Sequence, residues 1–149
     1  MSTHSDLTIY FLTEDEVSKA SVLLTELNPQ VPREIQEQRL RLILHDLPNY
    51  RCLAVRKGEQ LIALCGIWIA TKTWCGKYLE IDNFVVTASL RNQSVGELLL
   101  DRCLEIAREE NCEIIVLDSY TTNRASHRFY HRHGFEIVGF HFVKNVVPD

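Results

Sequence analysis

The chain has 149 residues, 46% of them hydrophobic and 24% charged, with a formal net charge of −4. That length fits one domain, spanning 1–149, whose core needs no disulfide or metal staple. The acidic balance argues against a nucleic-acid binder or a protein of anionic membrane surfaces, since both usually carry a basic field. No apolar run approaches the roughly 20 residues of a membrane span.

Five cysteines, Cys52, Cys65, Cys75, Cys103 and Cys112, show no Cys-x-x-Cys spacing. Their odd number and apolar surroundings predict buried free thiols and a cytoplasmic location. No basic-then-apolar leader opens the chain, which predicts no secretory signal.

After a polar start, residues 7–12 read as a first strand. Thr13-Glu14-Asp15-Glu16 fits a capping box, with a hydroxyl at the start and a carboxylate three residues on. Val17, Ala20, Leu23, Leu24 and Leu27 follow at helical spacing, and Asn28-Pro29 stops that helix. A second helix is predicted over 33–45 and ends before Pro48. Strands over 51–55, 61–70 and 77–86 are joined by short turns, which predicts an antiparallel meander. A helix over 96–110, a strand over 113–118, a helix around Tyr130 and one or two strands within 135–147 complete the chain. The order is βααβββαβαββ. A late strand–helix–strand unit implies one parallel pairing. The expected fold is α/β, with a mixed, mostly antiparallel sheet and helices on both faces.

Two segments bear chemistry. The strand ending at Val86 runs through Thr87-Ala88-Ser89-Leu90-Arg91 into a helix. The start of that helix offers backbone N–H groups and the positive end of its dipole, both of which favour an anion. Asn92, Gln93 and Ser94 are small or polar enough to let backbone approach a phosphate. Gly96 lacks a Cβ, and Arg91 adds a positive charge. The same residues equally describe a polar loop before an ordinary capped helix. Just upstream, Glu80 and Asp82 lie two apart and share one face of a regular strand. Either carboxylate can serve as a base, or be a solvated group at a strand edge.

The second segment, 123–135, is a short amphipathic helix with a phenol, Tyr130, four residues before Gly134. Asn123 is a favoured N-cap. His127 and His131 have metal-ligand spacing, but no nearby carboxylate or cysteine completes a set, so no metal site is expected. Arg124, Arg128 and Arg132 read as a solvated basic face. Trp68 is expected in the core. Trp74 is expected in an exposed turn, where it would wall an acceptor pocket together with residues 28–50.

Residues 81–96 resemble the central motif of the GNAT (GCN5-related) N-acetyltransferases. Asn123 through Phe135 resembles the C-terminal motif of that family, Asn-x-x-(Ala/Ser)-x-x-(Phe/Leu)-Tyr-x-x-x-Gly-Phe. The element order matches that fold over nearly the whole chain. The resemblance implies that acetyl-CoA is the co-substrate, its pyrophosphate held by the loop Arg91, Asn92, Gln93, Ser94, Val95, Gly96 and Glu97. It implies that backbone groups of Phe84, Val85 and Val86 pair with the pantetheine arm, which needs an opening such as a bulge near Asp82–Phe84. Asn123 would approach the cofactor as well as cap its helix. Tyr130 would protonate the departing thiolate, and Asp82, ahead of Glu80, would accept the proton of an amine, through water. Transfer would be direct, in a ternary complex, to a small amine first and to a protein lysine or N-terminus second. The resemblance also admits a homodimer through the late strands. The alternative is a non-catalytic acyl-CoA-binding or regulatory module. It draws on departures from the family pattern: Ser94 and Asn92 stand where glycine is usual, leaving Gly96, and Ser94 would be strained if its position needs a positive φ.

Overall fold

A computed structural model of the chain describes residues 6–91 and 94–148. Five strands form one sheet in the order β1-β2-β3-β4-β5: β1 (Leu7–Phe11), β2 (Tyr50–Lys57), β3 (Gln60–Lys72), β4 (Gly76–Val86) and β5 (Ile114–Leu117). The first four pair antiparallel with their sequence neighbours, as the short turns require. Two helices, α1 (Val17–Leu27) and α2 (Arg33–Asp46), separate β1 from β2. A third, α3 (Val95–Glu109), links β4 to β5 and makes the sheet mixed. A fourth, α4 (Arg124–Arg132), follows. No helix among the described residues is long and apolar enough to cross a membrane. The chain forms two compact units, Met1–Val116 and Leu117–Asp149.

Side-chain alternation divides the helices between the faces of the first unit. Tyr50, Cys52 and Ala54 of β2 join Val17, Ala20, Leu23, Leu24 and Leu40 of α1 and α2 in one buried cluster. Their register partners Gly66 and Leu64 carry that face onto β3. Cys65 points the other way, its Sγ lying 3.6 Å from Cys103 Sγ of α3. The buried stripe of α3, Val95, Leu99, Leu100, Cys103, Ile106 and Ala107, therefore covers the opposite face. The hydrogen bond to Cys103, together with burial, pushes the Cys65 thiol well above its usual range. Cys52 is pushed up to about 12, chiefly by burial. Both thiols act as small hydrophobes in the core rather than as nucleophiles.

Two expectations are corrected here. The capping box does not form. Residues Glu14–Glu16 make a single 3-10 turn and α1 begins at Val17. The Thr13 hydroxyl donates to Asp15, and Glu16 accepts a 2.8 Å bond from the Tyr10 hydroxyl. Both members of the box are thus engaged elsewhere, and the helix starts after them. The second correction concerns 135–147, where no strand forms among the described residues. Ile137, Phe140, Phe142 and Val146 are exposed there. Alternating apolar residues favour extended backbone, but a strand also needs a partner to complete its ladder.

Candidate active site

The site residues of the first unit gather on β4 and the loop behind it. Gly66 faces Asp82, Trp68 faces Glu80 and Tyr50 faces Trp68. Glu80 and Asp82 consequently share the sheet face covered by α1 and α2, as their spacing predicts. Beyond Asp82 the register shifts: Leu64 pairs with Val85 while Gly66 pairs with Asp82. One residue of β3, Cys65, therefore spans two of β4, Asn83 and Phe84. This is a β-bulge, and Asn83 accommodates it at φ +53°, a left-handed conformation that Asn tolerates better than most residues. The extra residue flips the alternation, so Val85 joins the same face and the same cluster as the partners of Asp82. The bulge lies where the sequence reading asked for an opening beside Phe84, Val85 and Val86.

Asp82 is half-buried, and its Oδ2 accepts a 3.2 Å hydrogen bond from the indole Nε1 of Trp68. Trp68 is not the plain core residue expected from sequence. Its ring is half-buried and tilted against Tyr50, with centroids 4.6 Å apart. Tyr50 is only 4% exposed. Burial raises its phenol far above the ordinary range, and the charges of Cys52 and Asp82 add to the effect. Its hydroxyl occupies the space beside Gly66, where a Cβ would lie 2.5 Å from it and 3.0 Å from the Asp82 carbonyl. Glycine at 66 is thus a packing requirement. Sequence reasoning missed both aromatics as site residues. The cue available was the shared face of Trp68 and the two carboxylates, which needs the β3–β4 register to become visible.

Behind β4, Thr87 N–H donates to the Ile62 carbonyl at 2.8 Å. The Glu26 carboxylate of α1 accepts from both the Thr87 hydroxyl and the Ala88 N–H. A 3-10 turn, Ala88–Leu90, brings the chain to Arg91, whose Nε donates to the Val86 carbonyl at 3.1 Å. Its guanidinium is therefore held close to the end of β4. Asn92 and Gln93 lie outside the described residues. Ser94 is the N-cap of α3, at φ +63° and without a side-chain cap. Val95 is buried and anchors the first turn, which includes Gly96 and Glu97.

The positive φ at Ser94 realises the strain anticipated for a serine in a glycine position. A Cβ there costs about 1–2 kcal/mol, against about 0.5–1 kcal/mol for the greater chain entropy that glycine loses. Ser94→Gly is therefore expected to stabilise the fold by about 0.5–1 kcal/mol. Urea denaturation measures this, and a stability loss would show that the serine side chain holds the turn.

In the second unit, α4 is built as its sequence suggests. Asn123 Oδ1 accepts from the Ser126 N–H at 3.2 Å, an N-cap bond to the third helical position. At the other end Gly134 stands at φ +86°. Phe135 N–H donates to the Tyr130 carbonyl at 3.0 Å and Gly134 N–H to the His131 carbonyl at 3.1 Å. These are the two bonds of a Schellman cap, with Tyr130 and Phe135 as its apolar pair, ring centroids 5.5 Å apart. The spacing Tyr-x-x-x-Gly-Phe is therefore a C-cap that fixes the Tyr130 ring. His127 and His131 do not converge on a common point. One ring nitrogen of each lies near a backbone carbonyl, that of Tyr120 at 2.9 Å and that of Phe135 at 3.2 Å.

β4 thus passes two carboxylates, bulges at Asn83–Phe84 and leads through Ala88–Leu90 toward the N-terminus of α3. Comparison with known proteins gives the family. The acetyltransferase (GNAT) family profile matches residues 20–135. An uncharacterized N-acetyltransferase, YhdJ, of Bacillus subtilis (strain 168) is 28% identical over 135 residues, covering 90% of this chain and 94% of the relative. An aminoalkylphosphonate N-acetyltransferase of Salmonella typhimurium (strain LT2) is 35% identical over 99 residues, 64% of this chain and 62% of the relative. A putative [ribosomal protein bS18]-alanine N-acetyltransferase of Bacillus subtilis (strain 168) is 26% identical over 68% of this chain and 63% of its own. Among solved structures, the aminoglycoside N-acetyltransferase AAC(6')-Iy in complex with CoA superposes with a TM-score of 0.82 at 16% identity, over 95% of each chain. The chain belongs to the acetyltransferase (GNAT) family. It is an acetyl-CoA-dependent N-acetyltransferase.

Proposed function

We propose that residues 1–149 act as a single cytoplasmic domain that moves the acetyl group of acetyl-CoA directly to a small primary amine. The observation that carries this reading is the half-buried Asp82 carboxylate, set immediately before the β4 bulge. A carboxylate there can take a proton from an amine, beside the backbone that the family likeness assigns to the thioester arm. The ammonium gives one proton to Asp82, through water, with Glu80 on the same face. The neutral nitrogen attacks the thioester carbon and the C–S bond breaks. Tyr130 passes its phenolic proton to the thiolate of CoA, and the second proton that the nitrogen sheds as the amide forms returns, through solvent, to the phenolate. No enzyme-bound acetyl is formed, and no cysteine belongs to either motif.

For the cofactor, Phe84, Val85 and Val86 supply strand-like backbone pairing. On the family likeness, Arg91, Asn92, Gln93, Ser94, Val95, Gly96 and Glu97 are assigned to the pyrophosphate, and Asn123 to the same cofactor. The small amine is favoured by the likeness to an enzyme named for aminoalkylphosphonates, which has the highest identity among the relatives above. A protein N-terminus is the second reading, favoured by the likeness to a ribosomal-protein-alanine enzyme. The late apolar residues 137–147 would serve a homodimer.

A panel of aminoalkylphosphonates, aminoglycosides, alkyl diamines and alanine-terminated peptides, assayed for acetyl-CoA-dependent thiol release, tests the acceptor class. Small amines are expected to be turned over with kcat/KM at least about tenfold above any peptide, a difference of about 1.4 kcal/mol in transition-state binding. Faster turnover of the peptides would overturn the proposal.

A further inference from the structure

We propose that Trp68 is a positioning residue for the reaction: its indole N–H holds one oxygen of Asp82 and leaves the other for the amine. The inference rests on the reading of Asp82 as base. It begins with the register. Trp68 and Asp82 are diagonal neighbours on β3 and β4, since Trp68 faces Glu80 and Gly66 faces Asp82. A diagonal spacing of about 7–8 Å is within reach of a long aromatic side chain. The indole Nε1 bridges it, at 3.2 Å from Asp82 Oδ2. Among the described residues, Oδ1 has no hydrogen-bond partner. A carboxylate with two free oxygens turns about its terminal torsion, which has only broad, shallow preferences. One fixed donor removes that freedom and presents the second oxygen in a single direction.

The donor is itself held. Tyr50 packs against the indole with ring centroids 4.6 Å apart. Tyr50 is buried in the cluster beneath α1 and α2, and its hydroxyl fits the space left by the missing Cβ of Gly66. Gly66, Tyr50, Trp68 and Asp82 thus form one chain of contacts from the core to the carboxylate. A half-buried indole N–H needs a hydrogen-bond partner, and here that partner is the carboxylate rather than water or a backbone carbonyl.

Two measurements decide this. First, Trp68→Phe keeps a ring against Tyr50 and removes the N–H. With the fastest small amine of the panel at saturating acetyl-CoA, kcat is expected to fall about tenfold, with the KM for acetyl-CoA unchanged, as for a lost hydrogen bond to a charged group. In an Asp82→Asn background the same substitution is expected to change kcat by less than about twofold, because the two act as a unit. If Trp68→Phe lowers kcat equally in both backgrounds, Trp68 does not act through Asp82 and the proposal fails. If Asp82→Asn alone leaves turnover unchanged, the base reading fails, and the positioning role fails with it.

The second measurement needs neither an acceptor nor a folded Trp68 variant. In a Trp74→Phe background Trp68 is the one remaining tryptophan of the chain. Asp82→Asn, which removes the negative charge beside the indole N–H, is expected to move its emission to shorter wavelength. An unchanged spectrum would mean that the indole and carboxylate do not meet in solution, and would overturn the proposal whatever Asp82 does in catalysis.

Discussion

Tyr130→Phe is expected to lower kcat by about a hundredfold or more, the usual scale of a lost general acid. The KM for acetyl-CoA should stay within about twofold, because the hydroxyl contributes to the transition state more than to binding. In the proposed role the hydroxyl gives its proton to the CoA thiolate as the C–S bond breaks. The substitution is structurally mild. Phe retains the ring partner of Phe135 in the Schellman cap, and the cap bonds of Gly134 and Phe135 are made by backbone. The C-cap should therefore survive the substitution. Steady-state thiol release read beside a thermal melt separates the outcomes. A folded variant with kcat within about twofold of the parent would remove Tyr130 from the chemistry.

Asp82→Asn is expected to reduce kcat/KM for the amine about a hundredfold near pH 7. Here the pH dependence carries the information. A primary amine has a pKa near 10.4, so its neutral fraction in solution rises about tenfold for each pH unit below that value. If Asp82 removes the ammonium proton, the variant depends on amine that is already neutral. Its deficit should narrow as pH rises from about 7 to about 9. A deficit constant across that range would point to a role in holding the substrate rather than deprotonating it. The half-buried carboxylate and its indole donor lie on the face covered by α1 and α2, so the amide should fit with little repacking.

Much of this was legible along the chain because it rests on local rules. Hydrophobic spacing located both ends of α2 and α3 and the C-terminal end of α1 to within a residue, while α1 starts three residues later than its capping-box pattern predicts; the meander β2–β3–β4 followed from short turns. The C-terminal motif was readable for the same reason. An N-cap and a Schellman cap each close within six residues, so Asn123, Gly134 and Phe135 state their own bonds. Even the departure at Ser94 was readable as a question about one dihedral angle, which the structure answers at +63°. The capping box at Thr13 shows the limit. Its pattern was correct, but Tyr10, outside the window, takes the Glu16 carboxylate.

What escaped the linear reading depends on pairings between segments far apart. The bulge at Asn83–Phe84 exists only relative to Cys65, about twenty residues earlier, so a motif can call for an opening without showing how it is made. The placement of Trp68 could not be read from its own neighbourhood, which is uniformly apolar. It came from a register that sets Trp68 between Tyr50 and Glu80. Residues 135–147 alternate as a strand would, yet form none, since a ladder needs a partner that no local pattern can supply. Short-range capping and periodicity therefore made this chain recognisable as an acetyltransferase. The surroundings of Asp82 were set by long-range register, because one extra residue in one strand reverses which side chains face each other.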